Sequence, residues 1–549
     1  MSGTRDLAAA PAGHDDGRDE PEARAFVAEM EARMDPLMRD SGLHSWDAAV
    51  GGGEEALERA SQARAAVSLL FSDAEGARRV RGWLEGGRIG DPLLRRQLVL
   101  LGHEFTRSQL PPDTIRDLVR RGAELEHVFH TFRATFRGER LSNNELLEAF
   151  RGTTDPAARR EAWEASKEIG REVAEPLREL VRRRNAAARE LGFPHFYAME
   201  LHLQELGEER LFAVLDEFRD RTDEPFRRFR DEMDGRLAER FGIAPDELRP
   251  WHWDDFFAQE APSVSGRVEL DAWFRERDLE ATATEFFRGI GLEVDDVLAR
   301  SDLYEREGKD QHAFCVDVDR RGDVRVLCNL RPNEQWMGTL LHELGHAVYD
   351  KYIPGALPFT LRTIAHTLST EAVAMYMGRL TRDPAWLRDV VGATPSDEEA
   401  ADIAAQQRAA MLISARWILV MVYFERELYR NPDRDDLDSL WWSLVERLQY
   451  IRRPDGRAAP DWAAKIHFSL SPVYYHNYLL GELMASQVSA HARRGVPRGR
   501  SIAGHPRVGT FLREKIFVPG ATLDWNELLV HATGEELSPR YFVDEFVGA

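Results

Sequence analysis

Residues 342–346 read His342-Glu343-Leu344-Gly345-His346, with apolar residues on both sides. The stretch follows Asn333, a residue type that caps helix N-termini, and it ends before Pro354-Gly355, which stops a helix. The spacing predicts a helix through the motif. Its two histidines are then one turn apart and project to the same side.

This motif predicts a metal site. Two neutral imidazoles one helical turn apart can hold a zinc ion, and Glu343 beside them can take a proton from a water that the metal activates. The alternative is a helix with two surface histidines. Neighbours such as Leu340, Leu341 and Val348 disfavour it, because an unpaired imidazole or carboxylate is costly in apolar surroundings.

A catalytic zinc ion needs a third protein ligand and an open fourth position. Glu371 lies 25 residues after His346, behind Ser369 and Thr370, which suit a helix N-terminus, and ahead of an apolar run. It is either the third ligand, on a second and crossing helix, or an ordinary first-turn carboxylate favoured by the helix dipole. The motif upstream favours the ligand.

A strand pattern precedes the metal motif. Phe314, Val316 and Val318 alternate with other residues, the segment 319–323 supplies a turn with a glycine, and apolar residues alternate again to Cys328. This pattern predicts a β-hairpin. His312 and Ala313 stand at its start.

A cluster of polar and aromatic residues lies further downstream, in the stretch Lys465-Ile-His467-Phe-Ser-Leu-Ser-Pro-Val-Tyr474-Tyr475-His-Asn-Tyr478. Peptide hydrolysis passes through a tetrahedral oxyanion, to which a tyrosine hydroxyl and an imidazolium can both donate hydrogen bonds. Tyr475 and Tyr478 share a helix face at this spacing. The alternative is an aromatic helix face in the core.

These motifs together resemble the gluzincin zinc peptidases. Within them the chain is similar to the helical group of angiotensin-converting-enzyme-like peptidyl-dipeptidases, thimet oligopeptidase and oligoendopeptidase F. The resemblance implies one Zn²⁺ ion per chain on His342, His346 and Glu371, with Glu343 as the catalytic base. Weaker likeness, as in the stretch Trp251-His-Trp-Asp-Asp-Phe-Phe-Ala-Gln259, extends it over roughly residues 150–549.

The resemblance also implies roles for the flanking motifs. His312 would contact a substrate carbonyl, and the backbone at Ala313 would pair with the peptide as an added strand. Tyr478 would donate to the oxyanion with support from His467. The pair Lys465 and Tyr475 would hold the C-terminal carboxylate of the substrate.

The chain departs from the family pattern in three places. The tyrosine pair lies 8 and 11 residues after His467 rather than 7 and 10, so Tyr474 competes with Tyr475 for substrate contact. Met375 stands where the angiotensin-converting enzyme group has an aspartate, and Asp350 is a candidate substitute for orienting a ligand. The arginine that helps bind chloride is not evident, so chloride dependence stays open.

Composition narrows the class of protein. The chain has 549 residues, a net charge of −22 and two cysteines. This charge argues against binding nucleic acid through phosphates, and two cysteines make no disulfide framework. The N-terminus lacks the apolar run of a signal peptide, and no segment approaches the roughly 20 apolar residues of a membrane span. We expect a cytoplasmic protein that contacts no membrane.

The expected fold is mostly α-helical. The resemblance implies a two-lobed ellipsoid with a deep central channel for oligopeptides, and a small β-hairpin beside the zinc helix. Residues 1–22 are expected to be a disordered tail. Residues 23–549 are expected to form one catalytic unit, with the zinc-site region at about 312–478.

Other functions remain possible on the sequence alone. Within the family, the chain could release short C-terminal units, act as an oligoendopeptidase, or be a metallocarboxypeptidase of the carboxypeptidase Taq type. Outside it, two histidines and a glutamate also form the site of non-haem iron oxygenases. Glu124 and His127, with Glu343 and His346, could form a di-iron site. The oligomeric state stays open.

Overall fold

The structure, a computed structural model, describes residues 19–262 and 268–547. Helices make up 68% of it, and the described residues contain two small two-stranded sheets. The predicted mostly α-helical class is therefore confirmed. The two lobes and the central channel stay predictions. No helix among the described residues has the length and apolar character needed to cross a bilayer.

The first four helices pack around a core of their own. They are α1 (Asp19–Ala49), α2 (Gly53–Leu70), α3 (Ala74–Gly86) and α4 (Pro92–Arg107). Their core includes Phe26, Trp83 and Phe105, and it takes in Phe359 from the rest of the chain. The carboxylate of Asp91 accepts the first backbone N–H groups of α4, which is the capping that fixes where this helix begins.

The disordered tail expected for residues 1–22 is too long at its C-terminal end. Helix α1 begins at Asp19, so residues 19–22 form its first turn rather than part of a disordered segment. Asp19, Glu20 and Glu22 are acidic, and negative charge in a first turn is stabilised by the helix dipole. The remainder of the predicted tail, residues 1–18, lies outside the described residues.

Most of the rest of the chain shares one large core that runs from Leu125 to Phe546, and Ala188, Met199 and Leu203 form a small cluster beside it. Before the metal motif, its elements are α5 (Pro112–Thr131), β1 (Ala134–Phe136), β2 (Glu139–Leu141), α6 (Asn143–Arg151), α7 (Pro156–Ser166), α8 (Glu168–Glu190), α9 (Phe196–Leu203), α10 (Glu208–Phe241), α11 (Asp271–Phe274), α12 (Leu279–Gly289) and α13 (Asp295–Leu298). That residues 23–549 form one catalytic unit stays a prediction.

The predicted hairpin is present. Strand β3 (Phe314–Asp317) pairs antiparallel with β4 (Val324–Leu327), with Cys315 opposite Val326. The carboxylate of Asp319 accepts two backbone N–H groups of the turn, and Gly322 supplies a φ of 105°. The hairpin packs on the helix that carries the metal motif, as expected.

From the metal motif onward the elements are again helical. They are α14 (Glu334–Lys351), α15 (Thr367–Gly378), α16 (Pro384–Trp386), α17 (Asp397–Arg430), α18 (Leu437–Gln449), α19 (His467–Leu470), α20 (His476–Ala492), α21 (Pro506–Leu512), α22 (Trp525–Thr533) and α23 (Arg540–Phe542). The side chain of Asn333 caps α14 by accepting the N–H of Trp336, as the sequence predicts.

Glycines set how closely three of these helices approach. A Cβ atom at Gly345 of α14 would lie 2.7 Å from the Cα of Ala374 on α15. A Cβ atom at Gly481 of α20 would lie 3.1 Å from the sulfur of Met375 and 3.6 Å from the Cβ of Glu371. Helices α14, α15 and α20 therefore meet at a distance that larger residues would not permit.

Candidate metal centre and active site

The three predicted metal ligands come together between α14 and α15. One ligand atom from each of His342, His346 and Glu371 lies within 4.8 Å of the others. The Nε2 atoms of the two histidines are 3.2 Å apart. An Oε2 atom of Glu371 lies 3.7 Å from the Nε2 of His342 and 4.0 Å from that of His346.

Burial sets the charges of this group. It lowers the pKa of His342 to about 4 and, with His342 alongside, that of His346 to about 3. Both imidazoles are therefore neutral near pH 7, which is the form that binds a metal. Two imidazole nitrogens and one carboxylate, with a fourth position left open, are the donor set of a catalytic zinc site.

Thr370 orients one of the ligands, a role that the sequence analysis gave to Asp350. The Nδ1 atom of His346 lies 2.7 Å from the hydroxyl oxygen of Thr370. Asp350 instead lies near Asp317, and burial together with that carboxylate raises its pKa to about 8. The α15 helix also begins earlier than expected, at Thr367, with a cap from the ring of His366.

Glu343 lies between the ligands and the hairpin. Its side chain is 7% exposed, and burial, followed by the nearby carboxylate of Glu371, raises its pKa to about 8. Burial is the main cause that raises the pKa of the Cys315 thiol on β3, followed by the charges of Asp350 and Glu343. A carboxyl group with a raised pKa beside an open metal position is suited to exchange protons near neutral pH.

Two of the three tyrosines lie near the ligand carboxylate. Burial, and then the charge of Glu371, raise the pKa of both Tyr474 and Tyr478, that of Tyr474 to about 12. Their ring centroids are 5.4 Å apart, edge to face. Tyr478 is 36% exposed, so its ring faces open space beside the ligands.

Tyr475 turns away from the ligands. It is 8% exposed, and its hydroxyl oxygen accepts a hydrogen bond of 2.7 Å from the indole N–H of Trp417. The ring of His467 packs against it with centroids 5.0 Å apart. Burial and Lys465 lower the pKa of His467 to about 4, so this ring is a neutral imidazole and not the imidazolium that the sequence analysis allowed.

Lys465 also lies beside Trp417. Its Nζ atom donates a hydrogen bond of 2.7 Å to the side-chain oxygen of Gln259 and lies 5.1 Å from the centroid of the Trp417 ring. Only 9% of the residue is exposed, and burial lowers its pKa to about 8. Sequence reasoning did not assign Gln259 a role, although the stretch that ends at this residue contributed to the resemblance.

His312 and Ala313 precede the hairpin, as predicted. The His312 side chain is 94% exposed, and its Nδ1 lies 3.4 Å from an oxygen of Asp310. Strand β3, which begins directly after Ala313, pairs with β4 alone among the described strands, and the other side of β4 meets Asp302. An edge strand next to Glu343 suits an added peptide strand.

The di-iron interpretation is wrong. Glu124 and His127 lie on α5, outside the group of ligand atoms that the other three residues form, and that group is the one cluster of its kind in the described part of the chain. A di-iron site needs ligands from both pairs on facing helices. The described residues therefore offer one group of candidate metal ligands.

Comparison with known proteins agrees with this geometry. Residues 298–548 match peptidase family M3, a segment that contains the metal ligands and the tyrosines. The chain is therefore similar to peptidase family M3 over slightly less than half of its length. The resemblance to the gluzincin group that includes thimet oligopeptidase is thereby confirmed.

Two carboxypeptidases are also similar to parts of the chain. Carboxypeptidase 1 of Bacillus subtilis (strain 168) is 24% identical over 262 residues, which is 42% of this chain and 51% of that protein. Thermostable carboxypeptidase 1 of Pyrococcus furiosus is 30% identical over 112 residues, which is 20% of this chain and 22% of that protein. The chain therefore spans about half the length of one relative and about a fifth of the other.

Proposed function

We propose that this chain is a zinc-dependent peptidase that hydrolyses oligopeptides. The observation that carries the proposal is the convergence of His342, His346 and Glu371, with Glu343 and Tyr478 beside them. The match of residues 298–548 to peptidase family M3 supports the same activity. The iron oxygenase alternative leaves Glu343 and the tyrosines without a function.

The chemistry follows from the residues around the open metal position. A zinc ion held by His342, His346 and Glu371 would polarise the scissile carbonyl and make a water more acidic. Glu343 takes the proton from the attacking water and then passes it to the leaving amine. Tyr478 donates a hydrogen bond to the oxyanion, and a neutral His467 donates one through its ring N–H.

The hairpin orients the peptide in this proposal. The backbone at Ala313 and along the free edge of β3 pairs with the substrate as an added strand, and His312 contacts a substrate carbonyl. Main-chain pairing places the scissile bond without selecting a particular sequence. That arrangement suits an enzyme for varied short peptides.

We further propose that the enzyme releases short C-terminal units, as a peptidyl-dipeptidase does. Lys465 and Tyr475 lie against Trp417, and Gln259 bonds to Lys465, so the three present an ammonium, an amide and a phenol in a mostly buried place. A terminal carboxylate accepts hydrogen bonds from such donors, and these charge-assisted bonds are the strong ones. Among the described residues no carboxylate bonds to the Nζ of the buried Lys465, and a substrate would supply one.

A second candidate is a carboxypeptidase that removes one residue at a time. Both named relatives are called carboxypeptidases, which favours it. A third candidate is an oligoendopeptidase, which would not bind the C-terminal carboxylate of its substrate. Incubating the purified protein with a mixed peptide library and identifying the products by mass spectrometry separates the three, because they release dipeptides, single residues and internal fragments respectively.

Replacing the catalytic base tests the proposal as a whole. Glu343→Gln should keep one zinc ion per chain, measured by elemental analysis, and lose roughly 100- to 10,000-fold in turnover. The surface variant Glu514→Gln is the matched control and should keep full activity. Full activity in Glu343→Gln, or iron in place of zinc, would contradict the proposed zinc peptidase activity.

A further inference from the structure

Val473, which directly precedes the tyrosines, has an unfavourable backbone conformation. Its φ is 54°, in the left-handed region, and its side chain is fully buried. A β-branched residue is an outlier there, and such a conformation persists only where the surroundings hold it. It lies between α19 and α20, where residues 471–475 have no regular secondary structure to fix them.

Two side chains hold the backbone of Val473 from opposite sides. Its N–H donates a hydrogen bond of 2.8 Å to the carboxyl group of Glu425 on α17. Its carbonyl accepts one of 3.1 Å from the side-chain amide of Gln204, which follows α9. Glu425 is 3% exposed, so its contact is shielded from competing water.

Gln204 also forms contacts with the start of α20. Its side-chain oxygen lies 3.2 Å from the Nε2 of His476 and accepts a hydrogen bond of 3.3 Å from the amide of Asn477. One amide group therefore contacts the chain on both sides of Tyr474 and Tyr475.

Arg184 of α8 holds the preceding part of the segment. Its guanidinium donates a hydrogen bond of 2.8 Å to the carbonyl of Ser469 and one of 3.0 Å to the hydroxyl of Tyr429. Residues 469–477 are thus held by side chains from three separate parts of the fold. In a helix, the main chain forms hydrogen bonds with itself. In this segment, the side chains of Glu425, Gln204 and Arg184 bond to the main chain instead.

We propose that Glu425 and Gln204 are positioning residues that hold the tyrosine segment so that Tyr478 points at the metal centre. Neither residue contacts the ligand group, so each acts through the backbone of Val473 and the start of α20. The inference rests on the proposed function, in which Tyr478 donates to the oxyanion. Small displacements of such a donor are costly, since about 1 Å can lower a rate 100-fold.

A double-mutant cycle tests the link to Tyr478. Glu425→Ala should lower kcat by roughly tenfold or more with little change in KM, because the oxyanion interaction exists only in the transition state. Glu425→Gln should restore most of the loss, since its amide oxygen can still accept the N–H of Val473. In a Tyr478→Phe background, Glu425→Ala should add less than about threefold, because the two residues act as a unit.

Controls separate positioning from general destabilisation. Thr222→Val removes a buried hydroxyl on α10 that donates to the carbonyl of Phe218 and accepts from Arg416, and it leaves the contacts of Glu425 and Gln204 with Val473 in place. It should lower the thermal midpoint without lowering kcat at assay temperature. If Glu425→Ala does not fold, Gln204→Met removes the other contact with little change in volume and should show the same pattern.

The outcomes distinguish the inference from the function beneath it. An active Glu343→Gln variant contradicts the proposed function. If Glu343→Gln is inactive, the proposed function stands. If the rate losses of Glu425→Ala and Tyr478→Phe then multiply in the double variant, only the positioning role is overturned. A Tyr478→Phe variant with full activity also overturns it, because there is then no donor to position.

Discussion

The hydroxyl oxygen of Thr370 lies 2.7 Å from the Nδ1 atom of His346, and Thr370 directly precedes the ligand Glu371. One turn of α15 therefore carries a candidate metal ligand and also contacts a candidate ligand of α14. A partner on the second ring nitrogen selects the tautomer that leaves Nε2 free for the metal. The two helices are coupled at the metal centre through this contact.

Removing the Thr370 hydroxyl should weaken metal binding. Thr370→Val keeps the shape of the side chain but leaves the His346 ring without its partner, and loss of such partners typically costs about 10- to 100-fold in metal affinity or activity. Competition with a chelator measures the affinity. Thr367→Val, an exposed position in the same helix, is the control, and equal affinities for the two variants would contradict the assigned role.

Gly345→Ala should separate the two ligand helices. The new Cβ meets the Cα of Ala374 at 2.7 Å, and backbone cannot move aside cheaply, so α15 shifts with Glu371. Overpacking of this kind costs about 1–3 kcal/mol of unfolding free energy. We expect a lower urea midpoint and weaker zinc binding.

The control for this prediction is another helical glycine. Gly235 of α10 has open space where a Cβ would be, so Gly235→Ala should raise stability slightly without affecting zinc. If Gly345→Ala binds zinc as tightly as the parent protein, close helix approach is not what sets the ligand geometry.

Lys465→Met should reduce the preference for a free C-terminus. Hydrogen bonds to charged groups contribute about 1.5–3 kcal/mol, so the ratio of kcat/KM for free-acid peptides to that for their C-terminal amides should fall roughly 10- to 100-fold. Lys515→Met, at an exposed site, should leave the ratio unchanged. A Lys465→Met variant that loses equal activity on both peptides argues for a structural lysine and against dipeptide release.

His476 should make the fold sensitive to acid. Burial, with His366 nearby, lowers its pKa to about 3, below the value of about 6.5 in an unfolded chain. The unfolded state therefore binds a proton first, and stability falls as pH drops below 6.5, by up to about 1.4 kcal/mol per pH unit.

His476→Gln should flatten this dependence. Urea midpoints at pH 6.5 and 4.5 measure the effect, and the parent protein should lose more than the variant over this interval. Buried carboxyl groups with raised pKa values, such as Glu425 at about 8, act in the opposite direction but are common to both proteins. The exposed His312→Gln variant should follow the parent, and parallel slopes for His476→Gln would contradict the prediction.

Much of the metal centre could be predicted because its signals are local. The spacing of His342 and His346 within one helix, and the alternation that predicts β3 and β4, follow from backbone periodicity over a few residues. Glu371 required one further assumption, that a second helix crosses the first. Gly345 permits that crossing, and it stands inside the motif itself.

The groups that act on these residues from elsewhere could not be predicted in the same way. Gln204, Glu425 and Gln259 are distant in sequence from the segments they contact, and no periodicity relates them. Asp350 was a reasonable partner for His346 by helical spacing alone. The α15 helix begins earlier than its sequence indicates, and Thr370 rather than Asp350 contacts the ring of His346.

The amino-acid sequence by itself determined the helical class, the hairpin and the candidate metal ligands, because each depends on residues near one another along the chain. Only the tertiary structure decided the direction of each tyrosine, with Tyr474 and Tyr478 towards Glu371 and Tyr475 towards Trp417. The reason is physical: the left-handed conformation of Val473 is unfavourable in isolation, and contacts made by folding keep it in place.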